Sequence, residues 1–471
     1  MSVLKFLSRP AVLLAFGLGV SAAAGSGFLA ILNRSVSSPD VVALSGLNFL
    51  LATISTGVMA GLEQEMTRAV SRALALGASV ASVVRRQARQ SAWLIAGTMA
   101  VVGALAPVLV AHWLGGRWYL YGELLLGLFG ALVSFQVRGL LSGRQDFHNY
   151  SLTLIVEGLT RLVPSILILA LGVGTAWMFG LLFALGPVLA ALSGIVGPRL
   201  SRRQTAMDAD AAAPAQHQTQ DPEQTPEPEQ QPDDSSLPAA ESSRRAASNL
   251  ALLTGATLAS QLLMNSVPLL VVARYSGNRD HKVVDQAAAI NSAVGLTRLG
   301  ILALFPLQAP LLPRLTAAAT RGDLAEVRKR TLLLLGLCAA VGLAGVGACF
   351  AVGPWLMHTI MGAHAPLPRG FLAAFAGGTL FLMLAFILQS ALIALGHHRM
   401  VMIAWGLGVV VTVPVFAVSS AILTTTAAAA LVGPLLTAVL MAVDLQWATR
   451  SRRPRAGGAV PAPPVKAGRS L

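Results

Sequence analysis

GFLAAFAGGTLFLMLAFILQSALIA, Gly370–Ala394, runs for 25 residues without a charged side chain. At 1.5 Å per residue a helix of that length extends about 37 Å, enough to cross the roughly 30 Å of bilayer hydrocarbon. It is apolar on every side, so water offers it no stable face. A short polar break, Leu395–Met400 (LGHHRM), separates it from a second apolar run, and the same pattern continues in both directions along the chain. Hydropathy predicts twelve spans, near 11–32, 42–62, 91–113, 119–141, 151–173, 176–197, 249–273, 286–312, 331–355, 370–394, 401–422 and 426–447.

Composition agrees. Of 471 residues 55% are hydrophobic and only 11% charged, with mean hydropathy +0.69, whereas soluble domains carry about 25% charged residues. A soluble enzyme is excluded. The net charge of +14 would suggest nucleic acid in a soluble chain, but in a membrane chain it reflects basic cytoplasmic loops. With the N-terminus inside, 26 of the 34 basic residues fall on the cytoplasmic side and six outside (Arg34, Arg117, Arg274, Arg279, Lys282 and Arg369), leaving Arg161 and Arg298 at membrane depth. This predicts a multi-pass plasma-membrane protein with both termini cytoplasmic and no nucleic-acid partner. The first apolar run resembles a signal peptide but continues to Leu32, and it reads as an uncleaved helix.

Residues 198–248 divide the chain. The stretch DADAAAPAQHQTQDPEQTPEPEQQPDDSS is rich in Pro, Gln and acid and has no aromatic residue, which predicts a disordered cytoplasmic linker. The expected organisation is therefore a six-helix bundle over 1–197, the linker 198–248, a second six-helix bundle over 249–447, and a basic, then Pro-rich tail over 448–471. The halves echo each other. Span four ends GLLSGRQDF (Gly139–Phe147) and span ten LIALGHHRM (Leu392–Met400), aligned on Gly143 and Gly396, and spans five and eleven carry Pro164 and Pro414. Six spans per half imply repeats sharing one orientation, related by an axis along the membrane normal. The segments Glu63–Arg89 and Arg314–Arg330 read as amphipathic helices on the inner surface.

Charges at membrane depth are functional candidates. Arg298 has no acid within a helical turn. It either meets a polar group on another helix or binds an anion, for which the planar guanidinium is suited. Glu157 and Arg161 stand at i, i+4 on span five. They either neutralise each other or supply a cavity cation and an ion-coupling carboxylate. Arg138, near the inner border, is expected to snorkel to the surface. Glu123 and Asp444 are expected at the interfaces, and Asn48, Gln261, Asn265, Gln389 and Asn291 to bond between helices. No Walker-type loop, nucleophile elbow or metal-ligand spacing occurs. His397-His398 has no carboxylate near it in sequence, so neither a metal nor a cofactor is expected.

The stretch FQVRGLLSGRQDFHNYSLTLIVEGLTRLVPSILI (Phe135–Ile168) resembles the span-four to span-five region of polysaccharide-biosynthesis membrane proteins, the lipid-linked oligosaccharide flippases of the MOP superfamily. The opening, NRSVSSPDVVALSGLNFLLATISTGVMAGLEQEMTRAVS (Asn33–Ser71), is similar too. The resemblance implies an all-α fold of two six-helix bundles in a V. These would rock between inward- and outward-open states around a polyprenyl-(pyro)phosphate-linked glycan, with glycan-assembly proteins as partners through the linker. Other readings are a cation antiporter of the multidrug and toxin extrusion type, a lipid II flippase (typically fourteen spans), and a non-transporting scaffold acting through the linker.

Overall fold

The structure is a computed structural model, and it describes residues 10–212, 239–298, 315, 319, 321 and 323–450. Among the described residues it is all helix: α1 (Pro10–Ser35), α2 (Ser38–Ala75), α3 (Val80–Ala104), α4 (Ala106–His112), α5 (Trp118–Gly143), α6 (Phe147–Leu171) and α7 (Ala176–Ala212) precede the linker. After it come α8 (Ala239–Tyr275), α9 (His281–Thr297), α10 (Leu324–Thr359), α11 (Arg369–Ala394), α12 (His398–Ala417) and α13 (Ile422–Arg450). Ten of these are long and apolar enough to cross a membrane, and the bent pair α3–α4 meets the same length and composition when its two helices are taken together. Helix α9 is the described part of span eight; residues 299–314 lie outside the described set. So do 213–238 of the linker, whose flanks to Ala212 and from Ala239 are helical, and the tail beyond Arg450.

Span three is where the chain departs from a straight rod. Helices α3 and α4 meet at Leu105 with a 60° bend. Pro107 stands in the first turn of α4, where the missing N–H costs nothing but prevents α3 from continuing. The separate amphipathic surface helices expected around residues 63–89 are not formed. Glu63–Ala75 is the end of α2 and Val80–Arg89 the start of α3, joined by a tight turn at Gly77 (φ 64°). Helix α2 is 38 residues long, about 57 Å, so it outruns the bilayer core and carries its polar end with it. In the same way Leu324–Arg330 opens α10 instead of lying alone.

The repeat appears in the packing. In the first half α1 lies on α6, α5 on α7 and α6 on α7; in the second, α8 lies on α12, α11 on α13 and α12 on α13. The register of the echo differs from that of the glycines. Helix α5 ends at Gly143 and its left-handed residue is Gln145 (φ 60°), whereas after α11 it is Gly396 (φ 82°). Gln145 therefore corresponds to Gly396. Gly143 instead admits α2, since a Cβ there would lie 2.7 Å from Val70 Cβ.

The seam between halves is made mainly by α2 against α8. Gly57 and Gly61 stand four apart on α2, where a Cβ would meet Leu258 at 2.6 Å and Thr254 Oγ1 at 2.8 Å. Small residues at that spacing let two membrane helices approach closely. One large apolar core, including Phe28, Leu44, Leu47, Val272, Ile290 and Leu372, draws on both halves. Two further cores are each confined to one half: around Trp405, Leu388 and Met441 in the second, and around Met59, Ala131 and Leu132 in the first. Large apolar side chains such as Trp93, Phe129, Val163, Leu333, Phe350 and Val410 point outward, which suits hydrocarbon and not water.

Candidate functional site: a charged cluster inside the first half

Helices α2, α5, α6 and α7 enclose a cavity of about 170 Å³ lined by Asn48, Ser55, Ser134, Arg138, Glu157 and Arg161, among others. Three helical turns of α6 build its charged wall. Asp146 caps the helix, accepting from the Asn149 N–H at 3.2 Å. That starts a register placing Tyr150, Thr153, Glu157 and Arg161 at i, i+3, i+7 and i+11, which is one face.

Glu157 is gripped from both sides. Its Oε1 accepts from Arg161 Nη2 at 2.8 Å and its Oε2 from Arg138 Nη2 at 2.6 Å. Arg138 Nε also donates to Thr153 Oγ1 at 3.0 Å. Arg138 is thus buried, 6% exposed, and does not snorkel. A carboxylate one helix away offers it charge-assisted bonds, so the inward rotamer wins over reaching for the surface. The network continues through Tyr150, whose hydroxyl donates to Glu63 Oε1 at 2.8 Å. The Arg161 guanidinium lies over the Phe183 ring, 5.4 Å from its centroid. Gly186 makes room for it, since a Cβ there would approach Arg161 Nε to 2.9 Å. Around the single carboxylate of Glu157 the cavity therefore presents two guanidinium groups.

Arg298 sits elsewhere, as the residue that ends α9, against α8 and α2. Its Nη1 donates to Asn265 Oδ1 at 2.9 Å and its Nη2 to the carbonyl of Met264. That carbonyl is four residues before Pro268, which has no N–H to return to it. Arg298 fills the vacancy that the proline opens. Asn265 passes the link on, with Nδ2 donating to Thr53 Oγ1 of α2 at 2.9 Å. Among the described residues no carboxylate pairs with Arg298, and the space beside it is about 30 Å³. The structure does not bring Arg298 and Arg161 together: they line separate cavities, one in each half.

The remaining polar residues divide. Gln389 accepts from Trp405 Nε1 at 2.7 Å, and Asn48 lines the charged cavity. Both side-chain polar atoms of Asn291 are buried without a partner among the described residues. Glu123 lines a wide recess with Asp40, Tyr119 and Trp177. Asp444 pairs with His397, Nδ1 to Oδ2 2.9 Å, so the carboxylate that the sequence around His397 lacks arrives from α13. No group of three or more metal-ligating side chains occurs among the described residues. Glu63, Tyr150 and Thr153 were not singled out in the sequence. The i+3, i+7 spacing from Tyr150 to Glu157 was the available signal, but Glu63 is 87 residues from Tyr150 and nothing local connects them.

Thirteen helices among the described residues, in two packing-related halves that each take arginine side chains inside, define a polytopic all-α membrane protein of the MATE type of fold. Solved structures sharing it include the inward-facing conformation of a multidrug resistance MATE family transporter of the MOP superfamily, with TM-score 0.63 at 15% identity over 92% of this chain and 96% of that one. The outward-facing conformation of such a transporter gives 0.60 at 15% identity over 96% and 98%. A Vibrio cholerae MATE transporter gives 0.60 at 16% identity over 95% and 98%. No protein-family model and no curated protein matches the chain.

Proposed function

We propose that this chain is a membrane transporter working by alternating access, and that it moves a polyprenyl-(pyro)phosphate-linked oligosaccharide or polysaccharide precursor from the inner to the outer leaflet of the plasma membrane. The fold supports the first half of this reading, because the similar structures include inward- and outward-facing forms of one architecture. The second half rests on one observation: the first-half cavity holds Arg138 and Arg161 around a single carboxylate.

That arrangement suits an anion. Planar guanidinium groups pair bidentately with phosphate oxygens, and Asn48 and Ser55 of α2 and Ser134 of α5 add neutral donors to the same cavity. The cavity is small beside the roughly 300–1,000 Å³ of whole-ligand pockets, so it is a phosphate subsite, with glycan and lipid outside it. Glu157 is the internal stand-in for that phosphate. Protonating it would loosen both arginines, which gives it an ion-coupling role. Glycan-assembly proteins remain the partners proposed for the linker 198–248, and both termini are assigned to the cytoplasm.

The competing reading is a multidrug or cation antiporter, and a specific observation favours it: the similar structures include multidrug resistance transporters. Such a transporter would need a carboxylate free to meet a cation. Both oxygens of Glu157 are held by arginine, whereas Glu123, in the recess beside Asp40 and Trp177, keeps a buried Oε2 without a partner among the described residues and is the carboxylate that reading would use. The deciding experiment uses the purified chain in proteoliposomes with a fluorescent polyprenyl-pyrophosphate glycan, read by dithionite quenching. Leaflet exchange at least about ten-fold above protein-free vesicles, lost with Arg161→Ala, supports the flippase. No exchange, together with gradient-driven efflux of a lipophilic cation dye, overturns it in favour of the antiporter.

A further inference from the structure

The two ends of the seam between halves are built differently. At the end where α1 turns into α2, polar bonds cross from one half to the other in a cluster. Asn33 is 1% exposed. Its Nδ2 donates to Ser292 Oγ of α9 and to the Met361 carbonyl, both at 2.8 Å, and its own carbonyl accepts from His364 Nε2 at 2.7 Å. The next residue, Arg34, donates from Nη1 to the Ile360 carbonyl at 2.8 Å and from Nη2 to the Thr359 carbonyl at 2.5 Å. These are carbonyls at the C-terminus of α10, where the last helical oxygens lack intrahelical donors and the helix dipole favours a cation. The arginine of one half thereby caps a helix of the other. The 360–364 loop closes around it: Gly362 is left-handed (φ 64°), and a Cβ there would lie 2.9 Å from Arg34 Cγ. Close by, Ser38 bonds Asp285 and Trp113 Nε1 donates to the Leu269 carbonyl at 3.0 Å. Towards the opposite end, the crossing contacts on α2 become Gly57 and Gly61 against α8, and the apolar cores are confined to single halves.

We infer that Asn33-Arg34 is a latch: a two-residue clasp at the end of α1 that holds the halves shut at this end, and whose release opens it. The groups are suited to reversible closure. Every bond is made by a polar side chain that water can serve equally well once the seam parts, so release strands no charge in hydrocarbon. The closed state is favoured because the Asn33 bonds form in a water-poor seam, beside the apolar core shared by both halves, while Arg34 caps α10 at the exposed rim of that seam. The inference stands on the seam alone and is independent of the cargo.

Ala288 reports on the latch. It is 2% exposed and lies one turn from Ser292 on α9, on the side that carries the Asp285 and Ser292 bonds to the other half. The full chain, with Cys338 and Cys349 replaced by alanine and Ala288→Cys introduced, is placed in nanodiscs and labelled with a membrane-impermeant maleimide. Asn33→Ala is expected to raise the labelling rate by about five-fold or more, corresponding to about 1 kcal/mol between closed and open forms, and Arg34→Ala, whose bonds are exposed, by about two-fold. Their size-exclusion profiles should remain those of the parent. A second arm joins Asn33→Cys to Ser292→Cys: oxidation should abolish labelling and reduction restore it. Unchanged labelling in correctly folded latch variants overturns the inference, as does labelling that persists through the crosslink. The crosslink arm decides the matter if an alanine variant fails to fold. No substrate enters either readout, so failure here and failure of the flippase reading are separate results.

Discussion

The first half holds its inward-turned arginines with a carboxylate; the second holds Arg298 with amide and carbonyl oxygens. Arg161 and Arg138 share Glu157 inside a cavity of about 170 Å³. Arg298 instead serves the carbonyl that Pro268 leaves open and the side chain of Asn265, beside a space of about 30 Å³. A charge inside a bilayer protein can thus be retained for two different reasons. Where it lines a cavity and its counter-charge is exchangeable, a ligand can compete for it. Where it satisfies a helix broken by proline, it is part of the frame. The sequence already set the two arginines apart, with Glu157 one turn from Arg161 and no acid near Arg298; the structure adds the partner that each one meets.

The contrast can be broken most forcefully at Glu157. Glu157→Gln leaves Arg138 and Arg161 facing each other without a full counter-charge, and breaking a buried pair in this way costs about 3–5 kcal/mol. Thermal unfolding in detergent should show a large loss, exceeding that of any other variant here. An unfolding temperature close to wild type would mean that the arginines are hydrated and the cluster is no closed network.

Arg298→Ala comes next. It orphans the Met264 carbonyl and unpairs Asn265, a loss of about 1–3 kcal/mol. Pro268→Ala supplies the missing N–H, so the loss from Arg298→Ala should shrink by about 1 kcal/mol when Pro268→Ala is already present. Transport per folded molecule should stay near wild type if Arg298 is framework. Loss of transport with unchanged stability would return it to the cargo.

Arg161→Ala should do the reverse. Glu157 keeps Arg138, so the unfolding temperature should move little, about 1 kcal/mol or less for a group that is partly exposed. Transport in the proteoliposome assay should fall about ten-fold. The smallest effect is expected at the membrane border, where Asp444→Asn removes the partner of His397 at a cost within about 1 kcal/mol. Thermal unfolding at neutral pH would register it.

Much of the fold was legible because its cause is local. Hydrocarbon accepts only long apolar helices with their backbone bonds closed inside the segment, so runs such as Gly370–Ala394 announce themselves. Proline marked the break in span three's neighbourhood only after the fact, since Pro107 lies inside an apolar run that hydropathy alone treats as continuous. The site was half legible. Glu157 and Arg161 are a turn apart and could be paired by spacing. Arg138 could not be added, because its choice between the surface and Glu157 depends on how close α5 comes to α6. The clasp at Asn33 and Arg34 was invisible for the same reason: its partners at 292 and 359–364 are about 260–330 residues away, and loop residues with free carbonyls carry no sequence signature.

From the sequence alone follow the membrane class, the all-α fold in two helical bundles and the presence of Arg161 and Arg298 inside apolar segments, all of which depend on hydropathy and on short-range spacing along one helix. Only the tertiary structure decided what those arginines meet. A guanidinium at the end of a flexible side chain has several possible partners within its reach, and which helix arrives beside it is settled by packing between segments far apart in the chain.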